Sequence, residues 1–147
     1  MADLLNGVYL AGPMAGLSSA EMKGWRNRAR IDLIAADIMS LDPARRVTYH
    51  QQVLDDKGHE LNISKRIFKQ DLRDISVCDA MLVDMRHHEK AKGQGTAAEV
   101  MFAHTENKII IMFKRPSDDL NPFMAAMATE VHNSLDDAIY AIMEYTT

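Results

Sequence analysis

The sequence predicts an α/β fold with a doubly wound parallel sheet of four to five strands, forming one domain over residues 1–147. Two observations lead to this prediction. Short apolar runs typical of buried strands alternate with longer segments whose apolar residues recur every three or four positions, as in amphipathic helices. Strands that alternate with helices are joined by right-handed crossovers and lie parallel. We therefore expect a Rossmann-like sheet with a flavodoxin-like strand order.

The composition sets limits on the class of protein. Hydrophobic residues make up 47% and charged residues 26% of the chain, which is ordinary for a globular domain with its own core. The net charge of −4 gives no reason to expect a nucleic acid polymer as partner. No run of ~18 apolar residues exists for a membrane span, and no basic segment precedes an apolar run as in a signal peptide. The single cysteine excludes an internal disulfide and fits a cytoplasmic location.

The first predicted strand covers residues 7–11 and is ended by Gly12 and Pro13. The small residues that follow, up to Gly16, allow the backbone to approach a ligand or the next helix closely. A helix is then predicted from about residue 20 to residue 36, with Ser18 or Ser19 as its N-cap.

Residues 38–41 form the second predicted strand. Residues 42–62 carry no clear pattern and are expected to form a surface loop, with or without a short helix. Loops of this length tend to be functional lids or disordered segments. The next helix begins with Asn62 or Ser64 as its cap, and its predicted buried face consists of Ile63, Ile67, Phe68, Leu72 and Ile75.

Asp71 lies on the apolar face of that helix, four residues after Ile67 and four before Ile75. A carboxylate in such a position is costly unless it is paired or functional. Two interpretations remain open: Asp71 pairs with Arg66 or Arg73, or it belongs to a functional site.

Residues 80–84 form the third predicted strand, followed by a polar loop over residues 86–92. The loop contains adjacent histidines, but no carboxylate or cysteine cluster stands at ligand spacing, so we expect a solvated loop and no metal site. Gly93 and Gly95 then lead into a buried helix that ends near Asn107.

Glu99, which we expect in the first turn of that helix, has two interpretations. Thr96 and Glu99 fit a capping box, with Thr96 as N-cap and Glu99 reaching back to its N–H. Alternatively, Glu99 points into the crevice outside the strand C-termini, where ligands bind in open α/β sheets. The residues themselves leave this choice open.

The last third of the chain starts with residues 108–113, a β-branched run that predicts a central parallel strand. Pro122 suits the first turn of a helix reaching about residue 131, with a short fifth strand near residues 130–132 as an alternative. Ser134 caps a final amphipathic helix.

Four segments of the sequence resemble one family. They are Val8-Tyr9-Leu10-Ala11-Gly12-Pro13-Met14, the motif over residues 70–82, Gly95-Thr96-Ala97-Ala98-Glu99 and Asn121-Pro122-Phe123-Met124. In this order and spacing they resemble the nucleoside 2-deoxyribosyltransferase superfamily, which includes nucleoside 5′-monophosphate N-hydrolases.

The resemblance implies roles for particular residues. Glu99 is the nucleophile and Asp71 is the acid/base partner near the leaving base. The segment at residues 121–124 reaches a neighbouring subunit's site in oligomeric members, which implies a homo-oligomer, a dimer or larger. The implied substrate-binding set is Tyr9, Gly12, Met14, Gly93, Gly95, Thr96, Asn121 and Met124.

One departure from the family concerns the residue six positions before the nucleophile. Several transferases carry an aspartate there, and the phosphate-hydrolysing branch carries a serine, whereas this chain has Gly93. Backbone N–H groups at Gly95 and Thr96, with Lys90 and Lys92 nearby, provide another way to bind a phosphate. The alternative is that both lysines are simply solvated.

These observations lead to one expected function and two alternatives. We expect cleavage of the N-glycosidic bond of a 2′-deoxynucleoside through a covalent Glu99 intermediate, with transfer of the sugar to a free base. The first alternative is hydrolysis of a 2′-deoxynucleoside 5′-monophosphate at the same site. The second is a nucleotide-binding module without turnover. The expected partners are small-molecule nucleosides or nucleotides and free bases, with no cofactor.

Overall fold

The computed structural model describes residues 6–46, 60–91 and 93–146. Most of the loop predicted over residues 42–62 therefore lies outside the described residues. The elements are β1 (Val8–Ala11), α1 (Ser19–Ala35), β2 (Ser40–Leu41), a 3₁₀ helix (Pro43–Arg46), α2 (Glu60–Val77), β3 (Ala80–Asp84), α3 (Gln94–Thr105), β4 (Ile109–Phe113), α4 (Pro122–Met127), β5 (Glu130–His132) and α5 (Leu135–Glu144).

The five strands form one parallel sheet in the order β2-β1-β3-β4-β5. This confirms the predicted doubly wound sheet and its flavodoxin-like order. The chain turns from β1 outward to β2 and then back across β1 to β3. The order of the strands thus reverses at β1 and β3, and a crevice opens at their carboxyl ends.

Three element boundaries differ from the prediction. β2 is only two residues long and pairs with Val8 and Tyr9 at the edge of the sheet. α2 begins at Glu60, so neither Asn62 nor Ser64 is its N-cap. α4 ends at Met127 rather than near residue 131, because the following residues join the sheet as β5 beside β4.

Other helix ends follow the predicted local chemistry. Ser18 caps α1 in a full capping box with Glu21. Ser134 caps α5 by accepting a hydrogen bond from the Asp137 N–H. Asn107 ends α3 with a left-handed φ of 57°, which asparagine tolerates better than most residues. Within the described residues, no helix is long and apolar enough to cross a membrane.

The alternation of side chains along each strand divides the core into two layers. Val8 and Leu10 pack with α1 and α5 on one face of the sheet. Tyr9 and Ala11 pack with α2, α3 and α4 on the opposite face. The helices on this second face are also the ones that carry Asp71 and Glu99.

The turn after β1 is held closely against the loop after β3. Gly16 has a φ of +85°, and a Cβ placed on it would lie 2.4 Å from the Lys90 carbonyl oxygen. Only glycine fits this position without strain. The contact brings two loops at the carboxyl end of the sheet together.

A pair of glycine substitutions tests this contact. Gly16→Ala is expected to lower the free energy of unfolding by about 1–3 kcal/mol, because it combines an unfavourable φ with a backbone clash. Gly24→Ala is the matched control, since Gly24 lies within α1 with nothing within 4 Å of an added Cβ. It should stabilise by about 0.5–1 kcal/mol. Urea denaturation of both variants measures the difference, and equal effects would contradict this account.

Candidate active site

A cavity of about 600 Å³ lies at the carboxyl ends of β1 and β3. Its walls come from three parts of the chain: the turn after β1, the middle of α2, and the start of α3 with the loop before it. Asp71 and Glu99 both line it. The two carboxylates singled out in the sequence are therefore brought to one cavity by different helices.

Glu99 is held in place by Tyr9. The Tyr9 hydroxyl donates a short hydrogen bond to Glu99 Oε2 across the interface between β1 and α3. Helix α3 begins at Gln94 with Gly93 as its N-cap, so Thr96 is the third residue of the helix and Glu99 lies in its second turn. The capping-box interpretation of Thr96 and Glu99 is therefore wrong, as is a place for Glu99 in the first turn.

The surroundings of Glu99 shift its acidity. Burial is the largest effect and raises the pKa of Glu99 to about 7, with the Asp71 carboxylate contributing in the same direction. The Tyr9 hydrogen bond and the Arg26 guanidinium act in the opposite direction. Burial likewise raises the pKa of Tyr9, which stays a hydrogen-bond donor. Near neutral pH, Glu99 is thus divided between a carboxylate and a carboxylic acid.

Asp71 is buried, with 8% of its surface exposed, and that small part faces the cavity. This agrees with its place on the apolar face of α2. Asp74, one turn further along, is equally buried and accepts a hydrogen bond from Arg45 at 2.7 Å. Asp71 thus lines the cavity, whereas Asp74 is not part of the cavity lining and forms an ion pair with Arg45.

The predicted substrate-binding residues fall into three groups. Gly12, Met14, Gly93, Gly95 and Thr96 line the cavity together with Glu99. Tyr9 is fully buried behind Glu99, so its placement supports a role in holding the carboxylate rather than the predicted contact with substrate. Asn121 and Met124 line a different, adjoining cavity.

The apolar wall of the Glu99 cavity was not foreseen in the sequence. The periodicity of α2 predicts that Phe68 is buried, but 49% of its surface is exposed. It lines the cavity with Ile67 and Leu72, close in sequence to Asp71. The reason is that Phe68 faces an open cavity and is not covered by another element within the described part of the chain. An exposed aromatic ring beside a carboxyl group suits a planar ligand.

The start of α3 provides hydrogen-bond donors at the cavity rim. Gly93 has a left-handed φ of 67°, and no side chain caps the helix. The first intrahelical bond runs from the Ala97 N–H to the Gly93 carbonyl. The N–H groups of the first three helical residues, Gln94 to Thr96, precede that bond and point out of the helix end.

The adjoining cavity, of about 570 Å³, shares Pro13, Ala91, Gly93 and Thr96 with the first. A buried carboxylate, Asp84, organises its polar side. The Arg86 guanidinium donates two hydrogen bonds of 2.9 Å to it and the Arg86 backbone N–H donates a third, while His88 Nε2 lies 3.2 Å from Asp84 Oδ2. Methionines, including Met101 and Met127, also line this cavity.

Two charged residues at this end of the sheet, Arg26 and Asp84, are not among the site residues predicted from the sequence. Arg26 is fully buried in α1, and it follows Met22 by four positions on the apolar face, a signal that was available. Asp84 is the last residue of β3, where polar side chains at the carboxyl end of a strand suggest function. The predicted solvated loop after it also lines the second cavity, through Arg86, His87, His88 and Ala91. Within the described ranges, no group of three or more histidine, cysteine, aspartate or glutamate side chains could hold a metal ion.

Comparison with known proteins gives a family and a fold. The family model for nucleoside 2-deoxyribosyltransferase matches residues 8–139. No curated protein matches the sequence. Among solved structures, a 2-deoxyribosyltransferase from Bacillus psychrosaccharolyticus has a TM-score of 0.71 at 17% identity, with 93% of this chain and 95% of that chain covered.

Two further structures share the fold. A 2-deoxyribosyltransferase from Leishmania mexicana has a TM-score of 0.66 at 19% identity, covering 96% of this chain and 99% of that one. A CMP N-glycosidase from Clostridium botulinum has a TM-score of 0.53 at 14% identity, covering 92% and 96%.

The raised pKa of Glu99 predicts a pH-dependent cost in stability. The folded protein releases this proton near pH 7 and the unfolded chain near the ordinary value of 4.5, so stability falls as pH rises between these values. Glu99→Gln keeps an acceptor for Tyr9 and removes the cost. It should raise the free energy of unfolding by about 1–3 kcal/mol at pH 8, with no gain at pH 4.

Denaturation of wild type and Glu99→Gln at both pH values measures this effect. Glu106→Gln, at the exposed end of the same helix, is the matched control for the loss of one charge. A Glu99→Gln variant that is less stable than wild type at pH 8 would contradict the prediction.

Proposed function

The chain belongs to the nucleoside 2-deoxyribosyltransferase family, and from that premise we propose that it cleaves the N-glycosidic bond of a 2′-deoxynucleoside and transfers the sugar to another base. The single observation that carries the proposal is the shared cavity at the carboxyl ends of β1 and β3. There, a Tyr9-held glutamate and a buried aspartate come from two different helices.

In the proposed first step, a Glu99 oxygen attacks the anomeric carbon as the bond from that carbon to the base nitrogen breaks. The base leaves with the electron pair of that bond and takes a proton from Asp71. A carboxylate suits this attack because positive charge develops on the sugar. A carboxylic acid in an apolar setting suits the protonation of the base.

The second step restores the enzyme. A nitrogen of the acceptor base attacks the anomeric carbon, Glu99 departs as a carboxylate, and the proton of the acceptor passes to Asp71. One proton thus moves between the base and Asp71 in each half of the reaction. Because Asp71 and Glu99 face the same cavity, their mutual repulsion favours the state in which only one of them is ionised.

The shape of the cavity supports a flat leaving group next to Asp71. Phe68, Ile67 and Leu72 lie on the same helix as Asp71 and offer an apolar surface for the ring of a base. The glycine turn after β1 and the start of α3 leave room for the sugar beside Glu99. We propose Gly12, Met14, Gly93, Gly95 and Thr96 as its contacts.

Hydrolysis of a 2′-deoxynucleoside 5′-monophosphate is a second candidate function, and the adjoining cavity favours it. Gly93 lies on the wall shared by both cavities and places no side chain between them. Beyond it, Arg86 is held by Asp84 and stands 5.3 Å from the Phe113 ring. A fixed guanidinium there could bind a phosphate.

We also propose that the protein works as a homo-oligomer. Asn121 and Met124 line the adjoining cavity rather than the one that holds Glu99, and Phe123 between them is 81% exposed. This placement suits a segment that meets a neighbouring subunit. A single stable monomer mass in light scattering at micromolar concentration would contradict this proposal.

The identity of the products tests the proposed reaction. Purified protein is incubated with a panel of 2′-deoxynucleosides and their 5′-monophosphates, with and without a free acceptor base, and the products are identified by chromatography and mass spectrometry. Transfer predicts a new nucleoside only when the acceptor base is present. The second candidate predicts sugar phosphate and free base from the monophosphates, with or without acceptor.

Glu99 should be required for either reaction. Glu99→Gln is expected to fold and bind nucleoside but to lose turnover by several orders of magnitude, because a neutral amide cannot attack the anomeric carbon effectively. A 2-fluoro-substituted substrate should add the mass of its sugar to the wild-type peptide containing Glu99. Near-normal turnover by Glu99→Gln would end the proposal.

The loss of activity on replacing Asp71 should depend on how much the leaving group needs a proton. Asp71→Asn is expected to slow release of an ordinary base by ~10²-fold or more, and to slow much less a leaving group that departs without a proton. Asp74→Asn is the matched control, since it removes the other buried carboxylate of α2, which binds Arg45. Equal losses on both substrates in Asp71→Asn would indicate a structural role.

A further inference from the structure

Arg26 occupies an unusual place for a fully charged side chain. None of its surface is exposed, although an arginine is almost never fully buried unless it is paired. It comes from α1, on the face of the sheet opposite α2 and α3. Its guanidinium lies beneath the carboxyl end of β1, where the cavity begins.

The contacts of the guanidinium are nearly all to backbone. Nη2 donates to the Gly12 carbonyl at 2.9 Å, Nη1 to the Met22 carbonyl at 2.7 Å, and Nε to the Leu10 carbonyl at 3.4 Å. Asp42 supplies the counter-charge, with its Oδ1 3.3 Å from Nε. Arg26 thus joins α1, the end of β1 and the segment after β2 through one planar group.

Two of these contacts lie just after Tyr9 along the chain. Leu10, whose carbonyl Arg26 binds, follows Tyr9 directly, and Gly12, whose carbonyl it also binds, begins the turn that lines the cavity. The positive charge therefore lies on one side of β1, while the Tyr9–Glu99 hydrogen bond lies on the other. In this interior the charge is weakly screened and acts across the strand.

We propose that Arg26 is a positioning residue of the Glu99 site: it fixes the end of β1 that carries Tyr9 and the glycine turn, and from behind the strand it supplies a positive charge that favours the carboxylate form of Glu99. The inference rests on the proposed role of Glu99. It assigns a function to a residue that touches neither the cavity nor the substrate.

The charged groups around Glu99 and Arg26 determine in which direction each substitution should shift the pKa of Glu99. Glu99 experiences the Asp71 carboxylate from α2, the Tyr9 hydroxyl from β1 and the Arg26 guanidinium from α1, and of these Asp71 raises its pKa while the other two lower it. Arg26 in turn experiences the Asp42 and Asp84 carboxylates, besides Tyr9 and Glu99. Asp42 therefore offsets part of the field that Arg26 exerts on Glu99.

This arrangement predicts opposite effects from the two members of one ion pair. Arg26→Met removes the positive charge, so the acid limb of kcat/KM, which reports Glu99 in the free enzyme, should move to higher pH by about half to one unit. Asp42→Asn leaves the Arg26 charge less compensated, so the acid limb should move to lower pH. If Arg26 and Asp42 had only a structural role, the two substitutions would not shift the acid limb in opposite directions.

Two further variants separate charge from position. Arg26→Lys keeps the charge but cannot bind three carbonyls in one plane, so the acid limb should stay near its wild-type pH while kcat falls. Arg28→Met is the matched control, because it removes a positive charge from the exposed side of the same helix, where Arg28 pairs with Asp32. It should leave both the limb and kcat unchanged.

The measurement uses the full chain and a deoxynucleoside substrate, because a monophosphate itself titrates near pH 6. Opposite shifts in Arg26→Met and Asp42→Asn support the proposal. The proposal is overturned if the acid limb of kcat/KM does not move in either variant, or if it moves in the same direction in both. If Arg26→Met does not fold, Asp42→Asn and Arg26→Lys still test the proposal. An acid limb of kcat/KM that stays at its wild-type pH in Asp42→Asn is enough to overturn the proposal.

A second readout keeps this inference separate from the proposed reaction. Carbon-13 NMR of the Glu99 carboxyl carbon, assigned with Glu99→Gln, follows its titration directly in each variant. If wild-type protein cleaves no N-glycosidic bond, the proposed function fails, but the opposite shifts of the Glu99 titration still test Arg26. If it cleaves and the titration does not move, the inference fails alone.

Discussion

The burial of strand β1 on both faces is the constraint on which the rest of this structure depends. β1 pairs with a neighbour on each side, so its side chains can only point alternately up and down. Val8 and Leu10 complete one core layer and Tyr9 and Ala11 the other. The same alternation places the Tyr9 hydroxyl against α3, where it donates to Glu99. Core packing and the geometry of the site therefore share one strand.

The order of the strands explains why a cavity forms at the carboxyl ends of β1 and β3. The connection after β1 leads to one side of the sheet and the connection after β3 leads to the other. Among the described elements, no helix therefore covers the point where these two strands end. The turn after β1 and the loop after β3 fill part of that space and meet at Gly16. The remaining opening lies between α2 and α3, which is why a carboxylate from each helix faces it.

The cavity combines charges that would be costly elsewhere in the fold. Burial alone makes Glu99 a weaker acid, while Tyr9 and the Arg26 guanidinium favour its ionised form. Such opposed effects set a carboxyl group near neutrality, where it can change its charge easily. Arg26 in turn is tolerable only because backbone carbonyls and Asp42 surround it. The stability of this end of the sheet is thus tied to the electrostatics of the site.

Local patterns in the sequence determined most of the elements. The alternation of apolar runs and helical periodicity gave the parallel sheet, and local cap chemistry placed Ser18 and Ser134 correctly. Asp71 stood out because a carboxylate on an apolar face needs an explanation. The motif at Glu99 left a capping box and a functional carboxylate equally open. Both interpretations use only residues close in sequence, and the deciding partner, Tyr9, lies ninety positions away.

Only the tertiary structure could decide that choice, because it brings β1 beside α3. The same applies to Phe68, whose helical periodicity predicts burial although 49% of its surface is exposed. It applies also to the second cavity, which joins loops distant in sequence. Periodicity records which face of a helix is apolar, whereas what that face meets depends on packing between elements. The sequence by itself therefore determined the fold and the chemical groups, and the tertiary structure decided which of those groups meet.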